Sequence, residues 1–218
     1  MRELADWLQD AEVSMVIVGN LTPYKDLPAI IDAFTTHTRR ARLLVAGPCR
    51  TPSLAEHLAA QERAGGGRIR LHLDRIPPEH VRTLYRAASA VLCPYRAESE
   101  RAFFRHVLYP ASGSTALASG TAVIAPDLSA IAEMTQGRRA WLYPAPTGAG
   151  PLLAAAESIL PLCAALDSAP ADASRQWRVI TTTYERIFHQ LAATPSTPRA
   201  EQPAVVGRPA HRLHRPAH

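Results

Sequence analysis

Residues 112–134, SGSTALASGTAVIAPDLSAIAEM, gather small residues around an apolar run and close on an acid. The first part reads as a short helix opened by Ser112, Gly113 and Ser114, with a turn at Gly120. TAVIAP then reads as a buried strand, being short, apolar and β-branched. Small residues at a helix start let the helix pack closely on a strand. They also let an anion approach the free N–H groups there.

Outward from this stretch, the same unit recurs. SMVIVGN (14–20), ARLLVAG (41–47), RIRLHL (68–73), SAVLCPY (89–95) and RRAWLYP (138–144) read as further strands, the first two ending at glycine. Between them lie helical segments. LPAIIDAFTTHT carries Ile30, Ile31 and Phe34 at helical spacing. SLAEHLAAQERAGGG has Ser53 as its expected N-cap, with Glu56 three residues on and glycines to stop it. PPEHVRTLYRAA places Pro77 and Pro78 at a helix start, where a missing N–H costs least. DLSAIAEMTQG gives a short helix, and the chain reads as helical from GAGPLLAAAESILPLCAALD through 172–193. Six short apolar strands alternating with helices predict an α/β fold, a doubly wound, mostly parallel, Rossmann-like sheet. Ligands of such sheets bind beyond the carboxyl ends of the strands. That directs attention to Gly19–Asp26, Gly47–Pro52, Asp74–Pro78, Pro94–Gly113 and Pro126–Ile131. No G-x-G-x-x-G follows the first strand, which argues against a nicotinamide or flavin site of the usual kind.

Composition narrows the class. With 218 residues, 47% of them hydrophobic, the chain has enough apolar material for one well-packed domain. No apolar run approaches the ~20 residues of a membrane span, and MRELADWLQDAE is not a secretory leader. Cys49, Cys93 and Cys163 form neither a zinc pattern nor a disulfide framework; they fit small buried residues in a reducing cytosol. Of the formal charge of +5, the tail 195–218 supplies +3, four Arg less one Glu. That segment is rich in proline and aperiodic, and is expected to be disordered. Polyanion binding would therefore rest on the tail, which makes nucleic acid an unfavoured partner, and His211, His214 and His218 there would hold a metal only loosely. The expected organisation is a lead-in at 1–13, a domain at 14–194 and the tail at 195–218.

Taken in order, VIVGNLTPYKDLPAIIDAF, ARLLVAGP, RIRLHLDRIPPEHVRTLYRAASAVLCPYR, SGSTALASGTAVIAPDLSAIAEM and AWLYP resemble one family across roughly residues 14–190. It is the C-terminal, donor-binding half of retaining GT-B glycosyltransferases, the group 1 or family 4-like enzymes. The resemblance implies a domain that binds a nucleoside diphosphate sugar, with a separate acceptor-binding half facing it. It implies no required cofactor or metal, because cations and helix N–H groups carry the charge of the diphosphate leaving group. It implies a cytoplasmic protein, able to reach the inner membrane face through a partner.

Carried over residue by residue, the resemblance places Lys25 of TPYKD on the diphosphate, where otherwise it would be a surface lysine. The family's arginine a few residues earlier is replaced by Asn20 and Thr22. Its two glutamates, separated by seven residues, fall on Val107 and Thr115. Subfamilies with PYR, a longer loop and SGS fit better, and there Ser112, Gly113 and Ser114 hold the diphosphate; Ser112 as a simple helix cap is the alternative. The loop 95–111 carries Arg96, Glu98, Glu100, Arg101, Arg105 and His106. Glu98 is the candidate to reach the donor sugar, and Arg96 or Arg105 the candidate replacement cation; a solvated loop of paired charges is the alternative. Asp74, Arg75 and Ile76 occupy the loop whose backbone reads the base, and Thr115 and Glu133 complete the base and ribose region. His72 reads as paired or surface-facing rather than catalytic.

Only about a dozen residues precede the first strand, so the acceptor half is expected from another domain or chain. Three readings remain open at this stage. The chain is the donor half of a divided hexosyltransferase, a degenerate homologue acting as binding or scaffold partner, or a generic α/β domain whose basic tail binds nucleic acid. In the family the C-terminal segment, here with Trp177 and Tyr184, crosses back to the first domain.

Overall fold

The computed structural model describes residues 1–96, 110–144 and 148–164 (of 162–164 the backbone alone), with helical positions Thr181, Thr182, Glu185 and His189. Glu98, Arg105, Val107, Trp177, Tyr184 and the tail 195–218 lie outside the described residues. The chain divides into two units, Met1–Asp172 and Ala173–His218, and everything below concerns the first.

Six strands form one parallel sheet: β1 (Ser14–Val18), β2 (Arg42–Ala46), β3 (Ile69–His72), β4 (Ala90–Leu92), β5 (Ala122–Pro126) and β6 (Ala140–Tyr143). Their order is β3-β2-β1-β4-β5-β6, every neighbouring pair parallel, so the doubly wound Rossmann-like expectation holds. The order reverses between β1 and β4, which makes that gap the topological switch point.

The strand sequences explain the layering. A parallel strand covered on both faces needs apolar residues at every position, and the period of two then sends alternate residues to opposite sides. Val16, Val18, Leu44, Ala46, Val91 and Val123 join one core, completed by α1 (Arg2–Gln9), α4 (Pro78–Ala87), α5 (Ala111–Ala118) and α6 (Ser129–Thr135). Met15, Ile17, Leu43, Val45, Leu92 and Ile124 join the other, completed by α2 (Leu27–His37), α3 (Pro52–Ala64) and α7 (Ala149–Ala164). The inner strands β1, β4 and β5 are buried at every position, whereas the edge strands β3 and β6 are mostly half-buried.

Two local expectations are corrected. The capping box at Ser53 and Glu56 does not form: Thr51 is the N-cap, without a side-chain hydrogen bond, and Pro52 opens α3. Proline at the first helical position has the right φ and no N–H to leave unpaired, so the helix begins two residues earlier. Residues 2–9, given no element above, form α1. Leu4, Ala5 and Leu8 lie on one face at helical spacing and are buried. Trp7 lies between Arg42 and Arg70, whose guanidinium carbons are 5.2 and 5.4 Å from its ring centroid.

Candidate functional site

The site is built where loops leave the ends of β1, β2 and β4. After β1 the chain turns at Gly19 (φ +116°) and runs to Asp26, the N-cap of α2. Both sides of this loop are laced to neighbours. On the β2 side, Leu21 N–H donates to Pro48 O at 2.9 Å and Leu21 forms a parallel bridge with Cys49. On the β4 side, Asp26 N–H donates to Pro94 O at 2.6 Å, Lys25 bridges Tyr95 antiparallel, and Arg96 N–H donates to Tyr24 O at 3.1 Å. The rings of Tyr24 and Tyr95 stack with centroids 6.2 Å apart. This lacing holds Lys25 at the switch point.

Lys25 is only 5% exposed. Burial lowers its pKa from the ordinary lysine value, against a smaller raising influence from Cys93. The Cys93 thiol is itself pushed up to about 11 by burial, which outweighs the lowering effects of Ser112 and of Lys25. A thiol kept neutral near pH 7 gives Lys25 no counter-charge. Among the described residues no carboxylate forms an ion pair with Lys25.

Ser112 reaches the same place from α5. Its Oγ lies 3.3 Å from Tyr95 Oη and 3.6 Å from Cys93 Sγ. Pro110 is the N-cap of α5, so Ser112 stands within the first turn and does not cap the helix. Gly113 is buried, and a Cβ added there would lie 2.7 Å from Met134 Cε and 3.7 Å from Cys93 Sγ. Ser114 gives its N–H to Pro110 O at 3.1 Å and its hydroxyl to Ala111 O at 3.2 Å. The first-turn N–H groups of Ala111, Ser112 and Gly113 are the ones a helix leaves unpaired.

A cleft of about 370 Å³ adjoins this cluster. Val18, Gly19, Gly47 and Pro48 line it from the ends of β1 and β2, and Ile76 and Val81 from the start of α4 and the loop before it. Its polar side chains are Asn20, Arg50 and Arg75. Gly19 joins the two parts, because it lines the cleft while Lys25 Nζ lies 3.5 Å from where its Cβ would be.

The sequence-selected residues therefore separate into groups. Lys25, Ser112 and Gly113 gather around Cys93, with Ser114 one position farther along α5. Arg75 and Ile76 line the cleft, and neither Asp74, Thr115 nor Glu133 does. Glu133 is exposed on α6, and Thr115 is half-buried on α5. Arg96 Nε donates to Asp26 Oδ1 at 3.0 Å, a half-exposed pair that ties this guanidinium to the Lys25 loop. Cys93, Tyr95 and Arg50 were not selected from the sequence; only their positions at strand ends marked them. Among the described residues no group of three or more His, Cys, Asp or Glu is placed to hold a metal ion. None of the described helices is long and apolar enough to cross a membrane.

The family model for glycosyl transferases group 1 matches residues 12–161. Curated protein sequences give no match. Among solved structures, sucrose-phosphate synthase from Thermosynechococcus elongatus is similar with a TM-score of 0.64 at 19% identity, over 88% of this chain and 49% of that one. Anabaena HepE, in complex with UDP and glucose, gives a TM-score of 0.58 at 15% identity, over 88% and 52%. The C-terminal domain of a group 1 family protein, LpcC from Francisella tularensis, gives 0.54 at 17% identity, over 73% and 80%. At these identities the likeness is one of fold, and the chain spans about half the length of the first two. With the family model matching well over half of its residues, the chain belongs to the group 1 glycosyl transferases.

Proposed function

We propose that this chain is the donor-binding half of a glycosyltransferase and binds a nucleoside diphosphate sugar at the β1–β4 switch point. The observation that carries the reading is Lys25, a buried ammonium with no carboxylate partner among the described residues. Burying an unpaired charge costs several kcal/mol. An anionic ligand above Gly19 recovers that cost. The diphosphate takes that place, with the first-turn N–H groups of α5 and the Ser112 hydroxyl as further donors. As the glycosyl bond breaks, negative charge grows on the leaving diphosphate, and these fixed donors stabilise it. Arg75 and Ile76 border the cleft that takes the base and ribose. HepE, of the same fold, is seen with UDP and with UDP-glucose, which makes UDP-sugars the first donors to try.

The acceptor pocket belongs to a second half, as a domain or a separate chain, and the chain's span of about half of its structural relatives supports this. A second reading, binding without transfer, is favoured by one feature: α5, ASGSTALA, carries no acid. Calorimetric titration with UDP-, GDP- and ADP-sugars tests the first reading. One class is expected to bind weakly, and Lys25→Ala, or Ser112→Ala with Ser114→Ala, to reduce that binding. Absence of binding by every nucleotide sugar at millimolar concentration overturns it. Donor turnover on adding an acceptor-half protein separates transfer from binding alone.

A further inference from the structure

Arg50 has none of the roles that the resemblance assigns, yet it lines the cleft together with Arg75. Neither guanidinium forms an ion pair among the described residues, and no acid lines the cleft. Two arginines and Asn20 are therefore the polar residues of a cleft whose remaining lining residues are apolar or glycine. That lining is open because of its glycines. Gly19 and Gly47 have φ of +116° and +134°, and a Cβ on Gly47 would collide with the Gly19 carbonyl.

The Arg50 loop is held to the Lys25 loop. The Leu21–Pro48 hydrogen bond and the Leu21–Cys49 bridge join them two residues and one residue before Arg50. Lys25 Nζ lies 3.5 Å from where a Gly19 Cβ would be, and Arg50 lines the cleft together with Gly19 and Gly47. Arg96, the arginine of the loop 95–111 among the described residues, is paired with Asp26.

We propose that Arg50 is a phosphate-binding residue, the second cation on the diphosphate opposite Lys25, supplied by the β2–α3 loop. The proposal rests on the donor-binding reading and specifies which side chain completes its charge. A guanidinium suits the role, because its planar fork matches two phosphoryl oxygens at once while a lysine acts as a point charge. Arg75, next to Ile76, serves the base and ribose end of the same cleft.

The test is calorimetric titration of the full chain with UDP, GDP, ADP and inorganic pyrophosphate. It compares the unaltered protein with Arg50→Gln, Arg50→Lys and Arg75→Gln, at two salt concentrations. Arg50→Gln is expected to weaken both pyrophosphate and the preferred nucleotide by roughly tenfold, the size of one charge-assisted contact, and to flatten the salt dependence. Arg50→Lys is expected to recover part of the loss, and Arg75→Gln to weaken the nucleotide and spare pyrophosphate. If the unaltered protein binds a nucleotide and Arg50→Gln binds pyrophosphate equally well, the Arg50 assignment is wrong. If the unaltered protein binds no nucleoside diphosphate, the donor-binding reading itself has failed.

Discussion

Lys25 works against folding in the absence of a ligand. Its pKa is lowered by burial, so the folded state holds this proton less tightly than the unfolded chain does. The sign follows directly: stability rises as pH climbs from the folded value to the ordinary lysine value, and the protonated form is the costly one. Lys25→Met keeps the stem and removes the charge. It is expected to stabilise the fold by about 1 kcal/mol, or roughly 2–4 °C in Tm, while weakening nucleotide binding. Thermal melts with and without UDP check both halves, and a variant that melts lower while binding as tightly would contradict the account. The same shift predicts that nucleotide affinity falls with rising pH before the ordinary lysine range is reached. A titration from neutral to alkaline pH reads this directly.

At the scale of elements, the two glycines of the site differ in what surrounds them. A methyl on Gly47 meets Gly19 backbone and forces an L-residue into φ +134°, and neither can yield. Gly47→Ala is expected to cost about 2 kcal/mol or more, seen as a lower denaturation midpoint. A methyl on Gly113 meets Met134 Cε, the free end of a flexible side chain, so Gly113→Ala is expected to stay within about 1 kcal/mol of the parent. The join between α7 and the α2–β2 connection is a further test. Glu157 is buried, and its carboxylate accepts N–H bonds from Arg39 at 3.0 Å, Arg40 at 2.6 Å and Ala41 at 2.6 Å. Desolvation pushes this carboxyl up, but the three backbone donors pull it down and prevail. Its contribution is complete above the ordinary glutamate value of 4.5 and is lost as pH falls through the lowered folded value. Glu157→Gln is expected to destabilise by about 2 kcal/mol near neutral pH, and to show a shallower acid limb in melts between pH 6 and 3.

At the scale of the whole molecule, the chain is expected to bind a donor sugar without transferring it until an acceptor-binding half is supplied. A transfer assay with and without such a protein measures this. Deleting 195–218 removes +3 of the +5 formal charge, so any weak, salt-sensitive binding of DNA should vanish while nucleotide binding persists. The fold was legible because strands buried on both faces must be apolar throughout, and VIV, LLV and AVIAP can satisfy that in few other ways. Helix α1 is hard to read from the sequence although Leu4 and Leu8 stand at the spacing of one helical face, because the surrounding acids mask a short amphipathic pattern. In the candidate site, Lys25 and the small residues of 112–114 were marked in the sequence by their places after strands. The sequence by itself determined the α/β class and its mostly parallel, doubly wound sheet, because local periodicity and turn residues encode these. Tertiary structure alone decided that Lys25 is buried beside a neutral thiol, that Arg96 is tied to Asp26, and that Arg50 shares a cleft with Gly19. Those facts depend on which loops lie side by side once the sheet reverses its order between β1 and β4, and no linear spacing records that distance.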